Sequence, residues 1–224
     1  MHTEKPVITV LFLIVELILY SLILTTGGNM LVWSSYISII VCFLYAVIRI
    51  KKSNLCIVLG LLFTVFADFC LVVCNPIQRL WGMVFFMLAQ ISYAILLHRQ
   101  NSHKVLLIVR VALTILIELV ALMILGENTD VLALVSMAYY VNLIMNLICA
   151  FCQFRANKLL AIGFLCFLLC DTVIGLQVAA GAYLPIAEGS AIYKLIFMDF
   201  NLAWFFYLPS QIMIALTAHL KSTQ

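Results

Sequence analysis

Charge is the scarcest feature of this chain. Twelve Lys and Arg and nine Asp and Glu make up 9% of its 224 residues, while 67% are hydrophobic and the mean hydropathy is +1.23. Soluble domains carry about 25% charged and about 45–50% apolar residues, so a soluble protein is excluded. No polar stretch is long enough to fold by itself, which leaves one transmembrane domain over 1–224. The parts of several enzyme classes are also missing. There is no Ser-His-Asp set, no His-Glu-x-x-His and no phosphate-cradling glycine loop. Serine-hydrolase, zinc-protease and nucleotide-driven mechanisms therefore lack their residues, and a site without metal or cofactor is expected. Neither end carries a lipidation signal. The first apolar run, Val7 to Thr25, exceeds the roughly 7–15 residues of a signal-peptide core, and no Ala-x-Ala follows it.

What is present is a series of apolar runs. About 20 such residues cross a bilayer core as a helix. Eight spans are predicted: 7–26, 30–48, 55–74, 80–97, 104–125, 131–152, 159–180 and 194–218. Turn residues separate them, including Gly27-Gly28-Asn29, Asn75-Pro76, Gly126-Glu127-Asn128 and a longer loop from Gly181 to Tyr193. The eight cysteines lie almost wholly inside these runs and read as reduced, packed thiols. The expected fold is an all-α membrane bundle with short connections between neighbours.

Basic residues predict the orientation. Lys5, Arg49, Lys51, Lys52, Arg99, Lys104, Arg155, Lys158 and Lys221 fall on one side, against Arg79 and Lys194 on the other. Nine against two places both termini in the cytoplasm by the positive-inside rule. The net charge of +3 is then a matter of topology and anionic lipid, without nucleic acid. A multi-pass protein of the plasma (inner) membrane is expected if the source is bacterial.

Two stretches stand out: Gly60 to Asp68 and Gly163 to Asp171, each an apolar run with a glycine and, eight residues on, a lone aspartate. A carboxylate in such a run costs about 2.5–3.5 kcal/mol on insertion scales and faces inward when it is kept. An offset of 103 aligns Lys52 with Arg155, Asn54 with Asn157, Gly60 with Gly163 and Asp68 with Asp171, and Glu16 falls near Glu118. This predicts a parallel 4+4 repeat, with halves of about 1–103 and 104–224. Both aspartates then lie about 18–20 Å above the cytoplasmic edge. Two such acids in a low-dielectric interior resist double ionisation, so one should hold a proton, as acid/base work requires. The bland alternative is two separate acids that bond helix to helix.

Other polar residues gather in the same spans. Gln90 and Tyr93 share a face of one helix, and Tyr207 and Gln211 share a face of another. Tyr139, Tyr140, Asn142 and Asn146 mark the sixth span, and Pro209 should free a backbone carbonyl in the eighth. Arg110, six residues past Lys104, is expected to snorkel toward the cytoplasmic interface or to meet a lipid phosphate.

Taken in order, these residues resemble the YhhN-type membrane family, whose animal members are lysoplasmalogenases. The resemblance rests on Phe63 to Ala67-Asp68, on Phe86-x-x-Ala89-Gln90-x-x-Tyr93, and on Tyr140 with Met145 and Ala150. It continues through Gly163 with Phe167 and Cys170-Asp171, and through Tyr207 with Gln211. Where the family pattern has Gly, His and Ser, this chain has Ala67, Gln90 and Cys170, and the family's Lys-Pro opening of the second helix is absent. The resemblance implies eight helices and hydrolysis of the vinyl ether of a lysoplasmalogen, with Asp68 and Asp171 as the catalytic pair. Gln90, Tyr93, Tyr140, Asn142, Tyr207 and Gln211 would then bind substrate and water, with a lysophospholipid and the surrounding lipid as partners. Two other readings stay open: a small proton-coupled transporter, and a catalytically silent lipid-binding relative.

Overall fold

The computed structural model describes residues 6–50, 54–100, 104–126, 129–182, 187, 189–198 and 200–218. Among them the chain is all helical. Seven helices are long and apolar enough to cross a membrane. They are α1 (Pro6–Thr25), α2 (Gly28–Arg49), α3 (Leu55–Asp68, continued by a π-helical turn, Phe69–Val73), α4 (Arg79–Gln100), α5 (Lys104–Leu125), α6 (Val131–Cys152) and α7 (Lys158–Ala182). Their bounds follow the apolar runs closely, because turn residues end them. Gly28 and Gly126 adopt φ of +59° and +53°, left-handed values that glycine takes without steric cost. Asp130 caps α6 by accepting from the Ala133 amide at 2.7 Å.

The last stretch, expected as one helix over 194–218, is in two pieces. A short α8 (Ala191–Ile196) ends at Phe197, and α9 (Leu202–Thr217) has 16 residues. The break is local chemistry: Asn201 accepts from the Trp204 amide at 3.3 Å and starts a new helix. At 1.5 Å per residue α9 is about 24 Å long, short of the roughly 30 Å of a bilayer core. Inside it, Pro209 cannot donate to Phe205 four residues back. The Tyr20 hydroxyl of α1 donates to that freed carbonyl at 3.0 Å. Asn54, before α3, donates to the carbonyls of Thr217 and Ala218 at 3.0 and 3.2 Å and ties the end of α9 to the start of α3.

Packing sets which faces are internal. α1 lies on α2, α2 on α3 and α3 on α4; α5 lies on α6, α6 on α7 and α7 on α9. The two groups meet where α4 packs against α6 and α2 against α9. The tightest seams are α3 with α4 and α7 with α9, the helices that carry the two glycine-to-aspartate stretches and their neighbours. α1 and α5 lie outside, and their outward faces expose Leu and Ile, as lipid-facing helices do. All eight cysteines are free thiols, five of them buried. Of the basic residues used for orientation, Lys5, Lys51, Lys52 and Lys221 lie outside the described residues, as does most of the loop at 183–188.

Candidate active site

Asp68 is the last residue of α3, at the point where the helix widens into the π-helical turn, with the Cys74 amide bonding to the Phe69 carbonyl at 3.0 Å. Such turns recur at functional sites because they re-aim the residues beside them. Asp68 is 3% exposed, and the Tyr207 hydroxyl of α9 donates to its Oδ2 at 2.7 Å. Asp171 lies mid-way along α7, partly buried, and the Tyr139 hydroxyl of α6 donates to its Oδ2. The two donor tyrosines pack on the same ring, Phe86 of α4, at 5.7 Å for Tyr139 and 6.3 Å for Tyr207 between centroids. The two carboxylates therefore face one interior region, each held by a tyrosine from another helix.

Aromatic rings border this region. Phe86 of α4 has its centroid 5.7 Å from Tyr139, 5.8 Å from Phe167 and 6.3 Å from Tyr207, and Tyr207 packs edge-on to Phe167 at 5.5 Å and to Trp204 at 5.1 Å. The faces of such rings carry partial negative charge and stabilise a cation placed over them. Carboxylates with phenolic donors and an apolar, ring-lined interior can exchange protons while excluding bulk water.

The glycines explain how the helices come close enough. A Cβ on Gly60 would lie 2.1 Å from Cε1 of Tyr93, so that ring rests directly on the α3 backbone, with Phe164 beside it at 5.4 Å. Gly163 admits α9 less closely: a Cβ there would meet Ile214 and the Ser210 carbonyl at 3.2 Å.

Of the other expected residues, Gln90 is fully buried. The Asn146 amide donates to its Oε1 and to its backbone carbonyl, both at 2.8 Å, while Nε2 has no partner among the described residues. Gln211 is buried too; its Nε2 donates to Ser210 Oγ at 3.1 Å and its Oε1 has no partner among the described residues. Tyr140 turns to Thr172, hydroxyl to hydroxyl at 2.8 Å, beside Asp171 but not on it. Asn142 accepts from Arg110 at 2.9 Å. Arg110 does not snorkel toward the end of its helix. Its side chain runs sideways to α6, because two asparagines at its own level supply acceptors there.

Sequence reasoning did not assign Tyr139 to the site. Its only signal was the Tyr139-Tyr140 pair, which leaves open which ring turns inward. Phe86 and Phe167 entered only as motif positions of the family resemblance, and Trp204 gave no signal beyond apolarity.

Searches of curated proteins and of solved structures return no significant match. The profile of the YhhN family matches residues 31–218, a range that holds both aspartates, both of their tyrosines and every other candidate residue. This chain belongs to the YhhN family.

Proposed function

We propose that the protein hydrolyses the vinyl ether of a lysoplasmalogen, releasing a fatty aldehyde and a glycerophospho-alcohol. The observation that carries this reading is the pair of tyrosine-held carboxylates, Asp68 and Asp171, around one aromatic interior. Family membership supports it through the resemblance to lysoplasmalogenases.

The chemistry follows from the bond. One aspartic acid gives its proton to the vinyl carbon remote from oxygen, which leaves an oxocarbenium ion on the carbon bonded to oxygen. The rings of Phe86, Tyr139 and Tyr207 surround that charge, and the second carboxylate stabilises it. Water adds to the cation and passes its proton to the second carboxylate. The hemiacetal then collapses: the second aspartic acid gives its proton to the glycerol oxygen as the carbon–oxygen bond breaks, the hemiacetal hydroxyl passes its proton to the first carboxylate, and the aldehyde leaves with both acids reset. One water is consumed, and the division of labour matches that of paired glycosidase carboxylates. Gln90 Nε2 and Gln211 Oε1, buried without partners among the described residues, are suited to hold the water or a glycerol hydroxyl. Tyr93, Tyr140 and Asn142 complete the polar surroundings of the substrate.

In this reading eight passes cross the membrane with both termini in the cytoplasm, α9 supplying a short last pass. The halves are copies. The packing of α1 to α4 is matched by that of α5, α6, α7 and α9, and Tyr36, whose ring lies 6.0 Å from that of Phe69 next to Asp68, stands 103 residues before Tyr139. The site then lies at the junction of two half-bundles, with each aspartate in the third helix of its half.

The tyrosines provide a graded test. Tyr207→Phe removes the hydroxyl that donates to Asp68 and leaves the ring. Aldehyde release from a 1-alkenyl-glycerophosphoethanolamine is expected to fall about ten-fold in kcat, the worth of one hydrogen bond to a charged group. Tyr140→Phe removes a hydroxyl that bonds to Thr172 and should change kcat less. Equal effects of the two would contradict the assignment. A purified wild type that releases no aldehyde would reject the function itself.

A further inference from the structure

Arg110 is the feature that the proposed reaction leaves unused. It lies six residues into α5, inside a segment apolar enough to span the membrane. Its Nη1 donates to Asn142 Oδ1 at 2.9 Å and to the Asn142 carbonyl at 3.5 Å, and its Nη2 donates to Asn146 Oδ1 at 2.7 Å. Among the described residues no carboxylate pairs with it. The amides fix the direction of the guanidinium but leave its charge uncompensated, a costly state inside a membrane unless an anion arrives. Both asparagines are themselves held: Asn142 Nδ2 donates to the Ala138 carbonyl at 2.9 Å and Asn146 Nδ2 to Gln90 at 2.8 Å. The Cys149 thiol is a further neutral partner of the guanidinium. The guanidinium is thus a pre-set fork, and an N–H group left over from these neutral partners suits a phosphate oxygen.

Its position relative to the aspartates gives the length of the ligand. Tyr139, on Asp171, is three residues before Asn142 and seven before Asn146 on the same helix. At 1.5 Å per residue, that puts the fork about 4–11 Å along the bundle from Asp171. A three-carbon glycerol with its phosphoester spans that interval when the ether lies between the carboxylates. α5 also packs chiefly on α6 and is open to lipid on its other faces, so an amphiphile can reach Arg110 from within the bilayer. We infer that Arg110, held by Asn142 and Asn146, binds the phosphate of the substrate lipid and sets its depth in the site. This rests on the lysophospholipid reading proposed above.

The test is binding, independent of turnover. A tritiated 1-O-alkyl-glycerophosphoethanolamine, which has no vinyl group to cleave, is bound to the purified full chain in detergent and followed by scintillation proximity. Arg110→Gln should weaken binding about ten-fold or more, and Arg110→Lys, which keeps the charge and loses the fork, should weaken it less. An unlabelled 1-O-alkylglycerol, without phosphate, should compete feebly and equally against wild type and Arg110→Gln. Displacement by millimolar inorganic phosphate in wild type alone would assign the fork to phosphate as such; no displacement would assign it to phosphate borne on lipid. If Arg110→Gln does not fold, Arg110→Lys and Asn146→Ala carry the comparison. Unchanged affinity in folded Arg110 variants, or an alkylglycerol that competes as well as the phospholipid, overturns the inference. Arg110-dependent binding without aldehyde release from the vinyl analogue would keep this site and reject the hydrolase. Aldehyde release with Arg110-independent binding would do the reverse.

Discussion

Asp68→Asn is expected to cut aldehyde release by about 10²–10⁴-fold, the usual contribution of a positioned acid or base. Asparagine keeps the size of the side chain and can still accept from Tyr207, so membrane insertion and melting temperature should stay near those of wild type. Asp171→Asn should do the same through its contact with Tyr139. The two acids act on one bond in one sequence of proton transfers, so the double variant should be hardly slower than either single one. Near-normal turnover in either single variant would remove that aspartate from the reaction. Multiplying losses would mean that the two act independently, against a shared site.

The second large effect is on stability. Gly60→Ala places a methyl group where Cε1 of Tyr93 lies 2.1 Å away, and that ring is fully buried against Phe164. Overpacking of this kind costs about 1–3 kcal/mol, and the ring that would have to shift is fully buried. Purified Gly60→Ala should therefore melt well below wild type in detergent. Gly163→Ala, whose nearest contacts are at 3.2 and 3.3 Å, should lose much less. Trimming Tyr93 in the Gly60→Ala background should show favourable coupling, because it removes the clash. Equal melting of the two alanine variants would show that the α3–α4 seam is looser than described.

Much of this molecule is legible in its sequence for a simple reason. A bilayer demands apolar helices of a set length, so runs such as 104–125 and 131–152 announce their own bounds, and a lone Asp68 or Asp171 within them signals an inward task. The family pattern was legible as well, from short motifs in the right order. Three features were not. Adjacent tyrosines point about 100° apart on a helix, so nothing local told that Tyr139 reaches Asp171 while Tyr140 turns to Thr172. The break before α9 depends on Asn201 capping a new helix within an apolar stretch that hydropathy reads as continuous. Arg110 looked close enough to an interface to snorkel, and only the position of α6 shows that two amides draw it sideways. Each depends on which helix lies beside which, information that a periodicity within one segment does not carry.

The central claim is that a proton from the protein reaches carbon, the step that sets vinyl ether hydrolysis apart from ester or phosphate cleavage. The direct measurement is turnover of a 1-alkenyl-glycerophosphoethanolamine by the purified protein in D₂O, with the aldehyde trapped as it forms and examined by mass spectrometry. The account predicts an aldehyde carrying one solvent deuterium at the carbon next to the carbonyl, and its loss in Asp68→Asn and Asp171→Asn. Release of no aldehyde, or of an aldehyde without deuterium at that carbon, would contradict it.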